Sequence, residues 1–264
     1  MRNLKVTSLL AVLLFLFVAG IQAQTITPSK NYITKEVKGI SNFSAINVLG
    51  STDVEYSQTS GPKTTVSIYG SDNLIDLLEV STVNGVLQVN MKKGVNIRSN
   101  GEYRLKVIAS SPSLKKLELK GSADIFLKGT IKGADMQITL TGSGDIDAEN
   151  FEFTNFAASV KGSGDIHLKN LKATSANIQV NGSGDVSVKG SAQRVSLSVN
   201  GSGDISAGNL VAANVVASVS GSGDIDCYAS SQLDASVGGS GEIGYKGSPK
   251  IVNKQGRKDN ISGR

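Results

Sequence analysis

Apolar and polar residues alternate with period two over most of the chain, and the alternation itself recurs. An apolar row runs Ile125, Ile146, Ile166, Val186, Ile205, Ile225 and Ile243. Two residues further on comes Leu127, Ala148, Leu168, Val188, Ala207, Cys227 and Tyr245, with Phe126, Asp147, His167, Ser187, Ser206, Asp226 and Gly244 in between. Upstream of each set the same beat returns. Ile138, Ala158, Ile178, Leu197, Ala217 and Ala235 form one apolar row, and Leu140, Val160, Val180, Val199, Val219 and Val237 form the next. The residues between these two rows are polar: Thr139, Ser159, Gln179, Ser198, Ser218 and Ser236. Strict alternation is the mark of a half-buried strand.

A four-residue word separates the strands. GSGD stands at residues 142–145, 162–165, 182–185, 201–204 and 221–224, with near copies GSAD at 121–124 and GSGE at 239–242 and an outlying GSTD at 50–53. The first glycines from 121 to 239 are 21, 20, 20, 19, 20 and 18 residues apart. A second break follows each period at Gly129, Asn150, Asn170, Gly190 or Asn209, and a short third segment closes it. Self-similarity at this interval signals a repeat architecture. Equivalent residues recur in one direction, so each repeat stacks in parallel on its predecessor.

The pattern predicts an all-β chain: a single-stranded right-handed parallel β-helix, or β-solenoid, with coils of about 20 residues. Residues 39–246 form this domain, with irregular coils over 39–115 and regular GSGD coils over 116–246. The stretch from Asp72 to Glu79 reads as a short helical turn among the irregular coils. A β-propeller needs about 40 residues and four strands per blade, so it is the weaker alternative.

Residues 1–23 read as a secretory signal peptide, with Arg2 and Lys5 ahead of the apolar run from Leu9 to Val18 and small residues before a cleavage point at Ala23. The apolar stretch is shorter than the ~20 residues of a membrane-spanning helix. The expectation is therefore an exported chain without a transmembrane segment, placed in the periplasm, at the outer membrane or outside the cell. No cysteine adjoins the cleavage point to carry a lipid. Residues 24–38 read as a linker.

Beyond residue 23 the chain carries 25 basic and 22 acidic residues, and six of the bases lie from Lys246 onward. The pI of 9.2 therefore belongs to a basic tail over 247–264, expected to be solvated. No basic stripe with interleaved aromatics is present, which argues against nucleic acid. One cysteine and one histidine argue against a disulfide framework, a zinc site or a Cys/His nucleophile.

The opening FSAINVLGSTDV at 43–54, the GSGDI ladder, and the closing GEIGYKGSP at 241–249 followed by Gly256 resemble the putative auto-transporter adhesin family with the head GIN domain, over residues 39–261. The resemblance implies a β-helix exported to the envelope or beyond, and adhesion. It supplies no catalytic residues to carry over.

Two readings of GSGD follow. As a corner, glycine supplies unusual backbone angles, while serine and aspartate bond N–H groups that the turn leaves over. As a site, Asp145, Asp165, Asp185, Asp204 and Asp224 stack into a column of like charges ~4.8 Å apart, repelling by ~1 kcal/mol per neighbour in water and ~3–4 kcal/mol at a dielectric of 20. Calcium would offset that repulsion, although the calcium-binding β-roll repeat recurs every nine residues rather than every twenty. No other cofactor is expected.

A second candidate surface is the polar strand face: Thr139, Thr141, Ser159, Gln179, Asn181, Ser198, Asn200, Ser218 and Ser220. Its hydroxyls and amides suit a glycan or a cell-surface protein as partner, and a solvated sheet face has the same composition. His167 is expected to face solvent and Cys227 to fill the core. The even coil length leaves no elaborated loop for an active site. The sequence thus reads as a non-catalytic, adhesin-like binding module. The alternatives are a structural envelope component acting by self-assembly and a calcium-binding or glycan-active β-helix.

Overall fold

The computed structural model describes residues 24–98 and 103–264; the expected signal peptide lies outside the described residues. The first strands are β1 (Gln24–Ile26), β2 (Tyr32–Glu36), β3 (Ala45–Gly50), β4 (Asp53–Gln58) and β5 (Thr65–Ser71). A one-turn helix α1 (Asp72–Ile75) leads into β6 (Leu78–Val83), β7 (Val86–Met91), β8 (Val95–Ile97) and β9 (Leu105–Ser111). The stack continues through β10 (Lys116–Gly121), β11 (Ile125–Gly142), β12 (Ile146–Gly162), β13 (Ile166–Val180), β14 (Val186–Val199), β15 (Ile205–Val219) and β16 (Ile225–Val237). It closes with β17 (Ile243–Lys246), β18 (Ile251–Gly256) and β19 (Ile261–Gly263).

Each of β11 to β16 is one coil, running from one corner to the next and bending on the way. Successive coils pair in parallel with equivalent residues aligned. Ile125, Ile146, Ile166, Val186, Ile205, Ile225, Ile243 and Ile261 form one continuous column. All of them are buried, so the apolar rows of the sequence become stripes lining the interior. The β-solenoid and its coil of about 20 residues are as the sequence predicts.

Three strand faces enclose the core. One precedes the GSGD corner, one follows it, and the third holds the short segments around Ile131, Phe151, Leu171 and Leu210. Phe151 meets Phe153 and Phe156 at ring-centroid distances of 5.5 and 5.8 Å, widening the core there.

Coils approach closely at the corners. A Cβ on Gly164 would lie 2.0 Å from the Gly144 carbonyl oxygen, and one on Gly142, at φ +132°, would lie 2.1 Å from that of Gly121. No side chain fits there, which is why the word is spelled with glycine at both places.

The N-terminal part departs from the expected irregular coils. The GSTD word at 50–53 is a full member of the stack: β3 and β4 pair in register with β10 and β11, setting Gly50 against Gly121. β7 and β9 lie parallel beyond them, and then the direction reverses. β6 pairs antiparallel with β7, β5 with β9, and β2 with β5. An antiparallel hairpin seals the end because it needs no further coil beneath it. Residues 24–38, expected as a linker, contribute to this cap through β2 and through β1, which pairs with β8. Among the described residues the third face has no strand below its first segment, and Gln58 closes it. Its side-chain amide accepts from Lys132 N–H (2.7 Å) and donates to the Lys132 carbonyl (3.2 Å), imitating a strand.

The basic tail is largely exposed and is also paired onto the stack. β18 pairs with β16 and β19 with β17, so residues 247–264 form a last partial coil. Lys254 stands opposite Ala235 on the inward row. Its stem covers the end of the core while its ammonium donates to the Ile261 carbonyl at 2.6 Å. Asn260 donates to the Gly241 carbonyl at 2.9 Å, closing the last corner. The lysines and arginines flanking β18 place charge on an open sheet edge, which discourages pairing with other chains.

Gly164→Ala is expected to cost about 1–3 kcal/mol, because the added methyl forces two backbones apart. Ser163→Ala, exposed in the same corner, is expected to change stability by less than about 0.5 kcal/mol. Urea unfolding of the two variants measures both.

Candidate functional site

The corner acids form a hydrogen-bonded column. Each Oδ1 accepts the backbone N–H of the acid one coil on. Asp53 takes that of Asp124 (2.9 Å), Asp124 that of Asp145 (3.1 Å), Asp145 that of Asp165 (2.9 Å) and Asp165 that of Asp185 (2.8 Å). The series continues through Asp204 and Asp224 to Glu242 at 2.7–2.8 Å. The carbonyl of each acid in turn accepts from the residue after the previous acid, as Asp165 does from Ile146 N–H (2.9 Å). At the corner the ladder therefore runs through a side chain where the backbone has turned away. An N–H donated to each carboxylate also offsets the like-charge stacking. Among the described residues no three His, Cys, Asp or Glu side chains cluster in the manner of a metal site.

The polar face is equally regular. Thr139, Ser159, Gln179, Ser198 and Ser218 lie in one row across adjacent strands. Beside them run Thr141, Asn181, Asn200 and Ser220; the last three carry the ladder past the strand ends by donating to Val160, Val180 and Val199. Gln179, Asn181, Asn200 and Ser220 are exposed and the other five are half-buried. Among the described residues, none of these nine side chains is engaged by another side chain. Other rows are occupied coil to coil: Asn170 donates to Asn150 (3.1 Å), Asn155 to Asp135 (2.8 Å), and Lys172 meets Glu152 (3.1 Å).

His167, expected to face solvent, is half-buried and lies 2.9 Å from the Ser187 hydroxyl through Nδ1. Cys227 is in the core, where burial, with the Asp226 charge adding to it, pushes its thiol up to about 12.

Sequence reasoning missed a cleft at the N-terminal end. It has a volume of about 330 Å³ and is lined by Ser51, Asp53, Tyr69, Tyr103, Arg104, Leu105 and Lys106. Register alone assembles it: Asp53 pairs with Lys106, and Lys106 with Tyr69. Arg104 lies 5.6 Å from the Tyr32 ring centre and donates to the Tyr69 hydroxyl at 3.4 Å. Burial raises the Asp53 carboxyl above its usual range against the opposing Asp124 N–H bond, and burial also raises Tyr103, with the Asp53 charge adding to it. Nearby, Glu55 is held low by Lys128 (2.8 Å) and Lys106 (2.9 Å). The one available signal was the absence of a GSGD word between residues 54 and 120. A second cavity of about 450 Å³ has an apolar floor of Val37, Ile68, Ile75, Leu78 and Val80, with Lys35, Glu36, Lys38 and Asp76 around it, Lys35 being paired with Asp76.

Stacked coils, glycine corners and an acid ladder define an all-β solenoid. Residues 42–169 and 138–249 match the family described as putative auto-transporter adhesin, head GIN domain, and the chain belongs to that family. It is similar to the crystal structure of a putative lipid binding protein from Parabacteroides distasonis, with 30% identity over 91% of this chain and 97% of that one and a TM-score of 0.79. A putative adhesin from Bacteroides fragilis is 32% identical over 90% and 96%, with a TM-score of 0.67. Another, from Parabacteroides distasonis, shares the fold at 23% identity over 91% and 98%, with a TM-score of 0.79. No curated protein matches the chain. Among the described residues no helix is long and apolar enough to cross a membrane.

Asp145→Ala removes the acceptor for Asp165 N–H and is expected to lower stability by about 1–2 kcal/mol. Asp145→Asn keeps an oxygen at that place, relieves the stacked charge, and is expected to cost less than half as much. Thermal melts of the two variants separate hydrogen bonding from charge.

Proposed function

We propose that the chain is an exported, non-catalytic binding module of the cell envelope or surface, and that the polar face from Thr139 to Ser220 is its contact surface. The observation that carries this reading is the contrast between surfaces. The corner acids spend an oxygen on the ladder and neighbouring rows pair coil to coil, whereas the nine hydroxyls and amides of this face keep their bonding capacity for a partner. A glycan or a cell-surface protein fits such a lattice, and the names of the related adhesins support it. The corner acids then serve the fold, and calcium is not needed for it.

Glycan-array and whole-cell binding of the wild type and of the triple variant Gln179→Ala, Asn181→Ala, Asn200→Ala test the proposal. The expected result is a loss of at least about tenfold, equivalent to about 1.4 kcal/mol, with an unchanged melting midpoint. Wild-type chains that bind nothing on either surface but assemble reversibly in sedimentation would favour the structural alternative.

The lipid-binding name of one relative supports a second reading for the apolar-floored cavity. An acyl chain would lie on Ile75, Leu78 and Val80, with its acidic head toward Lys38, since Lys35 is paired with Asp76. Dodecanoate is then expected to raise the melting midpoint in a saturable way, since a ligand of the folded state alone stabilises it. An unchanged midpoint would dismiss this reading.

A further inference from the structure

We propose that the polar face binds a neutral, extended polysaccharide lying along the axis of the rod, one sugar to each coil. This rests on the reading of that face as the contact surface, and adds the class of ligand and the direction in which it lies.

A third row belongs to the face. Gln137, Ala157, Asn177, Ser196 and Val216 stand in register across the same five coils, two residues before the row that holds Thr139 and Gln179. Gln137, Asn177 and Ser196 are exposed. Neighbouring rows lie ~6.6 Å apart and neighbouring coils ~4.8 Å apart. The field is nearly neutral: across three rows and five coils Lys161 is the one charged residue. Charge returns at both ends. One coil toward the N-terminus, Glu118 stands opposite Thr139, held between Lys116 (3.4 Å) and Lys120 (2.7 Å). One coil beyond the other end, Asp234 stands opposite Val216 and accepts from Gln232 (2.8 Å) and Asn253 (2.6 Å).

These features select the ligand. Equivalent groups recur once per coil, and a hexose in an extended β-1,4-linked chain is about as long as that step. A chain along the axis therefore meets the middle row again at each sugar, with the flanking rows in reach of the hydroxyls on its two edges. Charge disfavours a polyanion. The corner acids run alongside, with Asp145, Asp185 and Asp204 four residues past Thr141, Asn181 and Asn200. One ammonium, that of Lys161, offers little against a carboxylate on every sugar. No aromatic residue stands in the three rows, so there is no ring for a sugar to stack on. Binding then comes from hydrogen bonds that each contribute modestly, and it accumulates coil by coil once the first sugars are held. The face measures length, with five coils for about five sugars.

Calorimetric titration of the full chain with β-1,4-linked manno-oligosaccharides of two to seven units is the test. Affinity is expected to rise by about threefold per added sugar up to five units, reaching a Kd on the order of 1 mM. Beyond five the gain should fall below about 1.5-fold per sugar. Maltohexaose, whose α-1,4 linkages curl the chain, and the β-1,4-linked mannuronate hexamer, which adds a carboxylate to each sugar, should each bind at least about tenfold more weakly than mannohexaose. Gln179→Ala, in the middle coil, should weaken the pentamer by about threefold or more at an unchanged melting midpoint. The dimer, which has other coils to settle on, should change by less than about 1.5-fold. Affinity independent of length, or equal binding of maltohexaose, would overturn the proposal. Equal binding of the mannuronate hexamer would overturn its neutral selectivity, and unchanged pentamer affinity in Gln179→Ala would place the sugar off this face. If no oligosaccharide binds while the chain holds to whole cells and loses that hold in the triple variant, this inference fails and the polar face stands as a contact surface for a protein. Whole-cell binding that survives the triple variant would instead remove the face from contact, a failure of the reading beneath it.

Discussion

One hydrogen bond sets the terms for the rest of the molecule: the aspartate Oδ1 that accepts the N–H of the acid one coil further on. A chain turning sharply between two sheet faces loses the backbone partner for that N–H, and an N–H left without an acceptor is costly. A short carboxylate placed at the turn replaces it. Because the carboxylate reaches only one coil, every coil must bring an acid to the same place. Because the backbones of the regular corners then lie so close, glycine precedes the acid there. Period, register and the columnar core all follow from the corner.

The regular coils were legible because their signals reinforce one another. Alternation marked the strands, the GSGD word marked the corners, and equal spacing implied parallel stacking. The outlying copy at residues 50–53 also held. The ends were harder to read, since their residues answer to geometry rather than to local pattern. Tyr32 to Glu36 form a strand whose side chains are all exposed, so no alternation betrays it. Lys254 looks like a tail charge, yet its stem lids the core. The cleft could not be read at all, because Asp53 and Lys106 meet through a parallel pairing and Lys106 and Tyr69 through an antiparallel one, neither of which the sequence announces. The acid column itself was foreseen, but its bonding was not. The sequence shows that charges stack, while the structure shows which N–H each one holds.

The surface divides into parts that serve the stack and parts that do not. Acid corners, paired asparagines and Lys–Glu pairs knit one coil to the next. The hydroxyl and amide side chains of the rows from Thr139 to Ser220 add nothing to that knitting. A rigid repeating body that keeps the side chains of one face out of its own bonding is suited to presenting them to something else.

The ladder also has a direction. Each aspartate of the column offers its oxygen to the coil that follows, and among the described residues the antiparallel pairings lie at the end nearest the N-terminus. A chain that emerges N-terminus first completes that cap before any later coil exists. Every new coil then meets a finished template whose carboxylate already waits for its N–H, and adds as a row of bricks is laid on the one below. Contacts only between neighbours make stability and folding nearly one-dimensional. A unit of about 20 residues could therefore be gained or lost from the middle while both ends stayed as they are, leaving the length of the rod open to evolution.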